Sequence, residues 1–273
     1  MSNMSPAPGR RRWARLVIGG ATLALASSAL VAFVARDDPA DGNYLQALAE
    51  EMPAVAPPDR GASLPPVSVV SVDGPTRLGS RPQDQLTGWS EALADPLNIP
   101  RAALQAYGYA AATVQAENPS CGLTWTTLAA IGSSESNHGR HGGATLDRTG
   151  RPSEPIIGIP LDGRPGVKEI RDTDGGELDG DDVYDRAVGP MQFLPQTWAE
   201  WGVDADGDGV ADPQDIDDAA LAAGNYLCDS GGDLTESEGW WRAVLTYNES
   251  RAYATDILER AERYGQLSRD VLR

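Results

Sequence analysis

This 273-residue sequence is poor in the side chains that enzymes most often use as nucleophiles or soft metal ligands. It has two cysteines, two histidines and a single lysine, Lys168. The histidines, His138 and His141, stand three apart with no third imidazole or cysteine pair to complete a zinc site. If the two cysteines are bridged, a cysteine–histidine nucleophile loses its support as well. Positive charge is also scarce: 22 Lys and Arg face 40 Asp and Glu, for a net charge of −18. Such a chain repels nucleic acid and anionic headgroups and attracts divalent cations. No organic cofactor is expected. What remains is carboxylate chemistry.

Acid is missing altogether from the first 35 residues, where Arg10, Arg11, Arg12 and Arg15 precede twenty uncharged positions, 16–35. That run is long enough to span a bilayer. The basic flank before it and Asp37 and Asp38 after it place the N-terminus inside and the rest outside. Residues 1–35 are therefore expected to be a cytoplasmic flank and membrane anchor. The alternative is a signal peptide cleaved near Ser27 and Ala29, which would make the protein secreted, but the apolar run continues to Ala35. Outside this segment 18 basic and 40 acidic side chains remain, a net charge of −22. In an exported chain the even cysteine count points to one disulfide, Cys121 to Cys228, rather than two buried thiols. Closing so long a loop is worth about 4–5 kcal/mol in the chain-entropy model, less any strain.

Ten of the twenty prolines fall between Pro39 and Pro100. Residues 36–84 accordingly read as an extended extracytoplasmic linker, with one short helical candidate at 44–51. From residue 85 to 273 the pattern is mainly α. Helices are expected at 85–94, 101–117, 194–201, 216–228, 240–247 and 252–264, besides the one discussed next. Residues 139–186, rich in Gly, Pro and Asp, are too long for a casual connection and are expected to form a functional wall or flap.

Glu135 is the most informative residue. Leu128, Ile131 and Gly132 lead to it at helical spacing, which puts its carboxylate on the face turned toward the core. Thr124 is a candidate N-cap and Gly139 a stop signal. Burial and the helix C-terminus both disfavour the carboxylate form, so the pKa should rise into the range a general acid requires. A structural acid paired with an arginine is the alternative.

The segment 204–215 matches the twelve-position calcium loop. Asp204, Asp206, Asp208, Asp212 and Asp215 fall at positions 1, 3, 5, 9 and 12, Gly209 at 6, and the Val210 carbonyl at 7. Hard oxygen donors suit Ca2+. Asp215 stands where Glu is usual, and its shorter arm is expected to weaken bidentate chelation. A second acidic run at 172–185 lacks that spacing and reads as a solvated, flexible loop.

Three stretches then occur in order: Glu135-Ser-Asn-His138-Gly139, Ala187-Val-Gly-Pro-Met191-Gln192-Phe193-Leu-Pro195-Gln-Thr-Trp198, and Ala243-Val-Leu-Thr-Tyr247-Asn248-Glu-Ser250. With the acidic loop between the second and third, residues 85–265 resemble the lytic murein transglycosylases of the membrane-bound B type, in their actinobacterial form. The resemblance implies a lysozyme-like fold with a long groove for peptidoglycan glycan strands. Glu135 matches the single catalytic acid/base, Met191, Gln192 and Phe193 the groove-lining segment, and Tyr247 and Asn248 the pair at the scissile bond. Core packing is the alternative for Met191 and Phe193. The implied reaction cleaves the β-1,4 bond after N-acetylmuramic acid and leaves a 1,6-anhydro end. Two other readings stand beside it. One is a hydrolytic muramidase of the same fold using a second acid from 172–185, for which inversion needs a carboxyl separation of roughly 6.5–9.5 Å. The other is a calcium-stabilised, non-catalytic peptidoglycan-binding scaffold, against which the desolvated Glu135 argues.

Overall fold

The structure, a computed structural model, describes residues 45, 47–69 and 81–273. The basic flank and the apolar run at 16–35 lie outside the described residues, and among those described no helix is long and apolar enough to cross a membrane.

After a 3-10 turn, Pro82–Leu86, the helices are α1 (Thr87–Leu97), α2 (Arg101–Glu117), α3 (Trp125–Ser136), α4 (Pro195–Trp201), α5 (Ile216–Gly231), α6 (Ser237–Tyr247) and α7 (Arg251–Val271). The described residues contain isolated β-bridges and no strand. α2 is the central element. It is rich in alanine, so neighbours approach closely, and it is buried along almost its whole length. α5 packs on α2, α6 on α5, and α7 on α3. Trp240, Trp241, Tyr107, Tyr247 and Phe193 are the largest fully buried side chains, each stabilising the core by on the order of 2–3 kcal/mol. Arg81 grips Asp217 through Nε and Nη2, both at 2.7 Å, and so fixes the 3-10 turn to α5.

The disulfide joins Cys121, just before α3, to Cys228 in α5, with Cα atoms 5.4 Å apart. It links the start of the Glu135 helix to the helix that follows the acidic loop.

Part of the stretch expected to be a free linker is packed onto this bundle. Leu45, Leu48 and Ala49 are buried. The Trp241 indole donates to the Pro53 carbonyl at 3.0 Å. The Asp59 N–H donates to Glu262 at 2.8 Å and its carbonyl accepts from the Thr126 hydroxyl at 2.8 Å. The Trp125 indole donates to the Ala62 carbonyl at 3.1 Å. Gly61, at φ +76°, lies where a β-carbon would come within 2.6 Å of the Trp125 ring. Residues 45 and 47–50 are helical, in keeping with the short candidate at 44–51, and 53–66 carry no helix; proline content accounts for the latter but says nothing about docking, which depends on the partner surface.

The acidic run at 172–185 is likewise not a solvated coil. Asp185 is fully buried and accepts from the Thr173 N–H and hydroxyl at 2.9 and 2.8 Å. Asp172 accepts from the N–H groups of Gly175 and Gly176, and Asp179 from that of Arg186 at 2.6 Å. The carboxylates serve as caps for a loop that has no helix or sheet to satisfy its backbone.

Candidate active site

Thr124 caps α3, its side chain accepting from the Thr127 N–H at 3.3 Å. The other end closes at Asn137, in the left-handed conformation at φ 53°, followed by His138 at φ 60° and Gly139 at φ 77°. This sharp exit leaves Glu135 on the inner side of the last turn, 8 % exposed. Its Oε1 accepts a 2.5 Å hydrogen bond from the Tyr253 hydroxyl, while Oε2 is buried with no hydrogen-bond partner among the described residues. Burial pushes the Glu135 carboxyl up from 4.5 to about 8, and the Tyr253 hydrogen bond holds it down against that. Tyr253 is itself raised well above the usual phenol range by burial and by Glu135, so it stays a donor. A protonated acid with one free oxygen at neutral pH is the arrangement a proton donor needs.

The hairpin carrying Met191, Gln192 and Phe193 is bolted beside this turn. Val188 and Phe193 exchange both backbone hydrogen bonds, at 2.8 and 2.9 Å. Gly189 lies at φ +77°, and a β-carbon there would sit 1.7 Å from the Pro213 carbonyl oxygen, so no other residue fits. The Ser136 hydroxyl donates to the Pro190 carbonyl at 2.6 Å and accepts from the Gly139 N–H at 2.6 Å. Ser136 thereby ties the hairpin to the exit of α3 one residue from Glu135.

Gln192 is left-handed at φ 53° and 7 % exposed, and its amide donates to the Gly189 carbonyl at 3.0 Å. Met191 and Phe193 are fully buried. Phe193 packs edge-on against Trp198 and Tyr247, at centroid distances of 5.4 and 6.1 Å. The Tyr247 hydroxyl donates to the Met191 carbonyl at 2.7 Å. Asn248 caps α6 and is 2 % exposed. These five residues thus form one unit behind and beside the acid.

Below the exit of α3, His138 is buried between Tyr107 and Tyr264, with Nδ1 and Nε2 at 3.2 and 3.1 Å from the two hydroxyls. Burial lowers its pKa to about 3, so the imidazole is neutral and donates to one tyrosine while accepting from the other.

The acidic loop divides into two sets. Oxygen atoms of Asp204, Asp206 and Asp218 lie within 4.8 Å of one another. Asp208, Asp212 and Asp215 instead face Arg151, at 3.2 Å for Asp208 and 3.4 Å for Asp215. Asp215 also caps α5 through the Asp217 N–H at 2.9 Å, and Val210 is largely exposed. Asp218, raised to about 9 by burial, accepts from the Ala205 and Asp212 N–H groups at 2.7 and 2.9 Å. The converging set of Asp204, Asp206 and Asp218 fits a hard cation by its donor chemistry. Asp215 and Asp218 are equally buried, but it is Asp218 that converges with Asp204 and Asp206, while Asp215 pairs with Arg151.

Residues 183–242 match the family model described as the transglycosylase SLT domain. The match supports a lytic transglycosylase domain acting on peptidoglycan. It takes in the 188–193 hairpin and the acidic loop, begins after Glu135 and ends before Tyr247 and Asn248. No curated protein and no solved structure gives a match. Tyr253, Ser136, Asp218 and Arg151 were not among the candidates from sequence. Asp218 left a faint signal, as a second acid in the first turn of α5, but the other three matter only through distant partners.

Proposed function

We propose that this chain is a lytic transglycosylase that uses Glu135 as its only acid/base. The observation carrying the proposal is a buried Glu135 with a pKa raised to about 8, held by Tyr253 beside a hairpin fixed to the same helix turn. In this mechanism Glu135 protonates the bridging oxygen between N-acetylmuramic acid and N-acetylglucosamine, and the bond from C1 to that oxygen breaks. The substrate's acetamido group stabilises the positive centre. The C6 hydroxyl then closes onto C1, giving its proton to the Glu135 carboxylate, and no water is consumed. A positioned intramolecular hydroxyl outcompetes water because its effective concentration reaches about 10⁵ M or more in favourable geometries. Gln192 and Asn248 are assigned to the sugars at the scissile bond, while Tyr247, fully buried with its hydroxyl on the Met191 carbonyl, joins Met191 and Phe193 in supporting the segment that faces them.

The causes of the Glu135 shift are burial and one phenol, not a second acid. The Asp172, Asp179 and Asp185 carboxylates are spent on backbone N–H groups of their own loop. Both observations favour the single-acid mechanism over a hydrolytic muramidase. The acidic loop is proposed to take Ca2+ on Asp204, Asp206 and Asp218, to the benefit of stability. The site of action is proposed to be outside the cytoplasmic membrane, with residues 16–35 as anchor.

Replacing Glu135 with Gln tests the assignment. Turnover should fall at least 100-fold, the usual scale of acid–base assistance, while glycan binding persists. A variant keeping more than about a tenth of wild-type turnover removes Glu135 from the role.

A further inference from the structure

A cleft of about 340 Å³ opens where the exit of α3 meets the turn between α1 and α2. Among its walls are Asp95, Asn98, Ile99, Pro100, Arg101 and Arg140. Arg140 is held in an unusual way for so acidic a protein. Its guanidinium donates four hydrogen bonds, all to neutral oxygens of two asparagines. Nη1 and Nη2 reach the Asn98 side chain and carbonyl at 3.1 and 2.8 Å. Nε and Nη2 reach the Asn137 carbonyl and side chain at 3.0 and 2.9 Å. Both asparagines are left-handed helix caps, of α1 and of the Glu135 helix. The head group is therefore fixed at the cleft with no ion pair and one of its five donors left over among the described residues.

Asp95 lines the same cleft and makes no ion pair with Arg140 or with any other described residue. Arg101, at the mouth, pairs with Glu91 at 2.8 Å, but both side chains are more than half exposed, so that pair is weak and readily exchanged. The cleft lining thus offers fixed positive charge and a carboxylate that, among the described residues, are not ion-paired with each other. A ligand carrying both an ammonium and a carboxylate would bridge them.

We propose that this cleft binds the free α-amino-carboxylate end of a diamino acid in the peptide stems of peptidoglycan, with Arg140 and Arg101 on the carboxylate and Asp95 on the ammonium. The proposal rests on peptidoglycan being the substrate, as argued above. It gives the enzyme a contact with the peptide in addition to the sugars, with Arg140 held by the Asn137 cap of the Glu135 helix.

Equilibrium binding to the full-length chain in detergent tests this without any cleavage step. The probes are a stem tripeptide ending in a diamino acid with a free α-amino-carboxylate, the same peptide with that carboxylate amidated, the same with that amine acetylated, and the free diamino acid. The free-ended peptide should bind, and each blocking group should weaken it about tenfold or more, as expected for losing a hydrogen bond to a charged partner. Asp95→Asn should erase discrimination against the acetylated probe only, and Arg101→Gln should reduce discrimination against the amidated one. Arg140→Gln should weaken binding further, its melting curve reporting any loss of the two caps. A merely structural cleft would not produce this exchange of preferences. Equal affinity for all three peptides, or no peptide binding by a chain that still cleaves glycan, would overturn the proposal and leave the substrate reading standing. Binding of the free diamino acid as tightly as the tripeptide would overturn the assignment to stems. Absence of both peptide binding and glycan cleavage would remove the peptidoglycan reading itself.

Discussion

Replacing Glu135 with Gln should make the protein more stable, by an amount that depends on pH. The Glu135 carboxyl has a pKa of about 8 when folded, against the ordinary 4.5. Below pH 4.5 both folded and unfolded states hold the proton, and ionisation costs nothing. Between 4.5 and 8 the unfolded chain releases its proton while the folded chain keeps it. Stability therefore falls by about 1.4 kcal/mol per pH unit. Above pH 8 the folded state carries a desolvated carboxylate, and the accumulated loss is roughly 3–5 kcal/mol. The amide of Gln is neutral throughout and still accepts from Tyr253, so it escapes the loss. Thermal or urea unfolding of both proteins at pH 5, 7 and 9 measures this directly. The curves should nearly coincide at pH 5, and at pH 9 the variant should melt on the order of 10 °C higher. A gap that stays constant from pH 5 to 9 would show that Glu135 is not held protonated, and the reasoning from burial would be wrong.

Three further outcomes follow from the same geometry. Tyr253→Phe removes the hydrogen bond that holds the Glu135 pKa down, so the alkaline limb of the pH–rate profile should move up by about one unit; an unmoved limb would separate Tyr253 from the acid. Reducing the Cys121–Cys228 bridge, or replacing both cysteines with Ser, should cost about 2–5 kcal/mol of stability, read from unfolding with and without reductant. Chelator should lower the melting temperature and added Ca2+ restore it by mass action, and Asp218→Asn should abolish the response; melts insensitive to both would remove the metal from the acidic loop.

Local patterns made much of the helical framework legible. α2 begins and ends where its alanine-rich periodicity and Pro100 place it, because its surroundings agree with its propensity. Thr124 and Glu135 were readable for the same reason, one as a cap and the other by its position on a buried stripe. The Cys121–Cys228 disulfide agrees with the even cysteine count. Tertiary partners set the rest. Tyr253 looks like any aromatic at the start of a helix until α7 packs on α3 and brings its hydroxyl to Glu135. Asp218, rather than Asp215, meets Asp204 and Asp206 because Asp215 is taken by Arg151, a partner that a loop template of twelve positions does not cover. Asp185 and Asp179 read as solvated charge, but the loop folds around them. The docking of Asp59 and Ala62 depends on Trp125, Thr126 and Glu262, and on Ser268, whose hydroxyl accepts from the Ala62 N–H at 2.9 Å, all distant in sequence.

The central claim is that one carboxylic acid does the work of two, and the masses of the products test it most directly. Glycan strands digested to completion should release muropeptides ending almost wholly in 1,6-anhydro-N-acetylmuramic acid, one water lighter than hydrolytic products, and Glu135→Gln should release none. Predominantly reducing ends would contradict the account, as would loss of cleavage on replacing Asp181, Asp182 or Asp185 as complete as that on replacing Glu135.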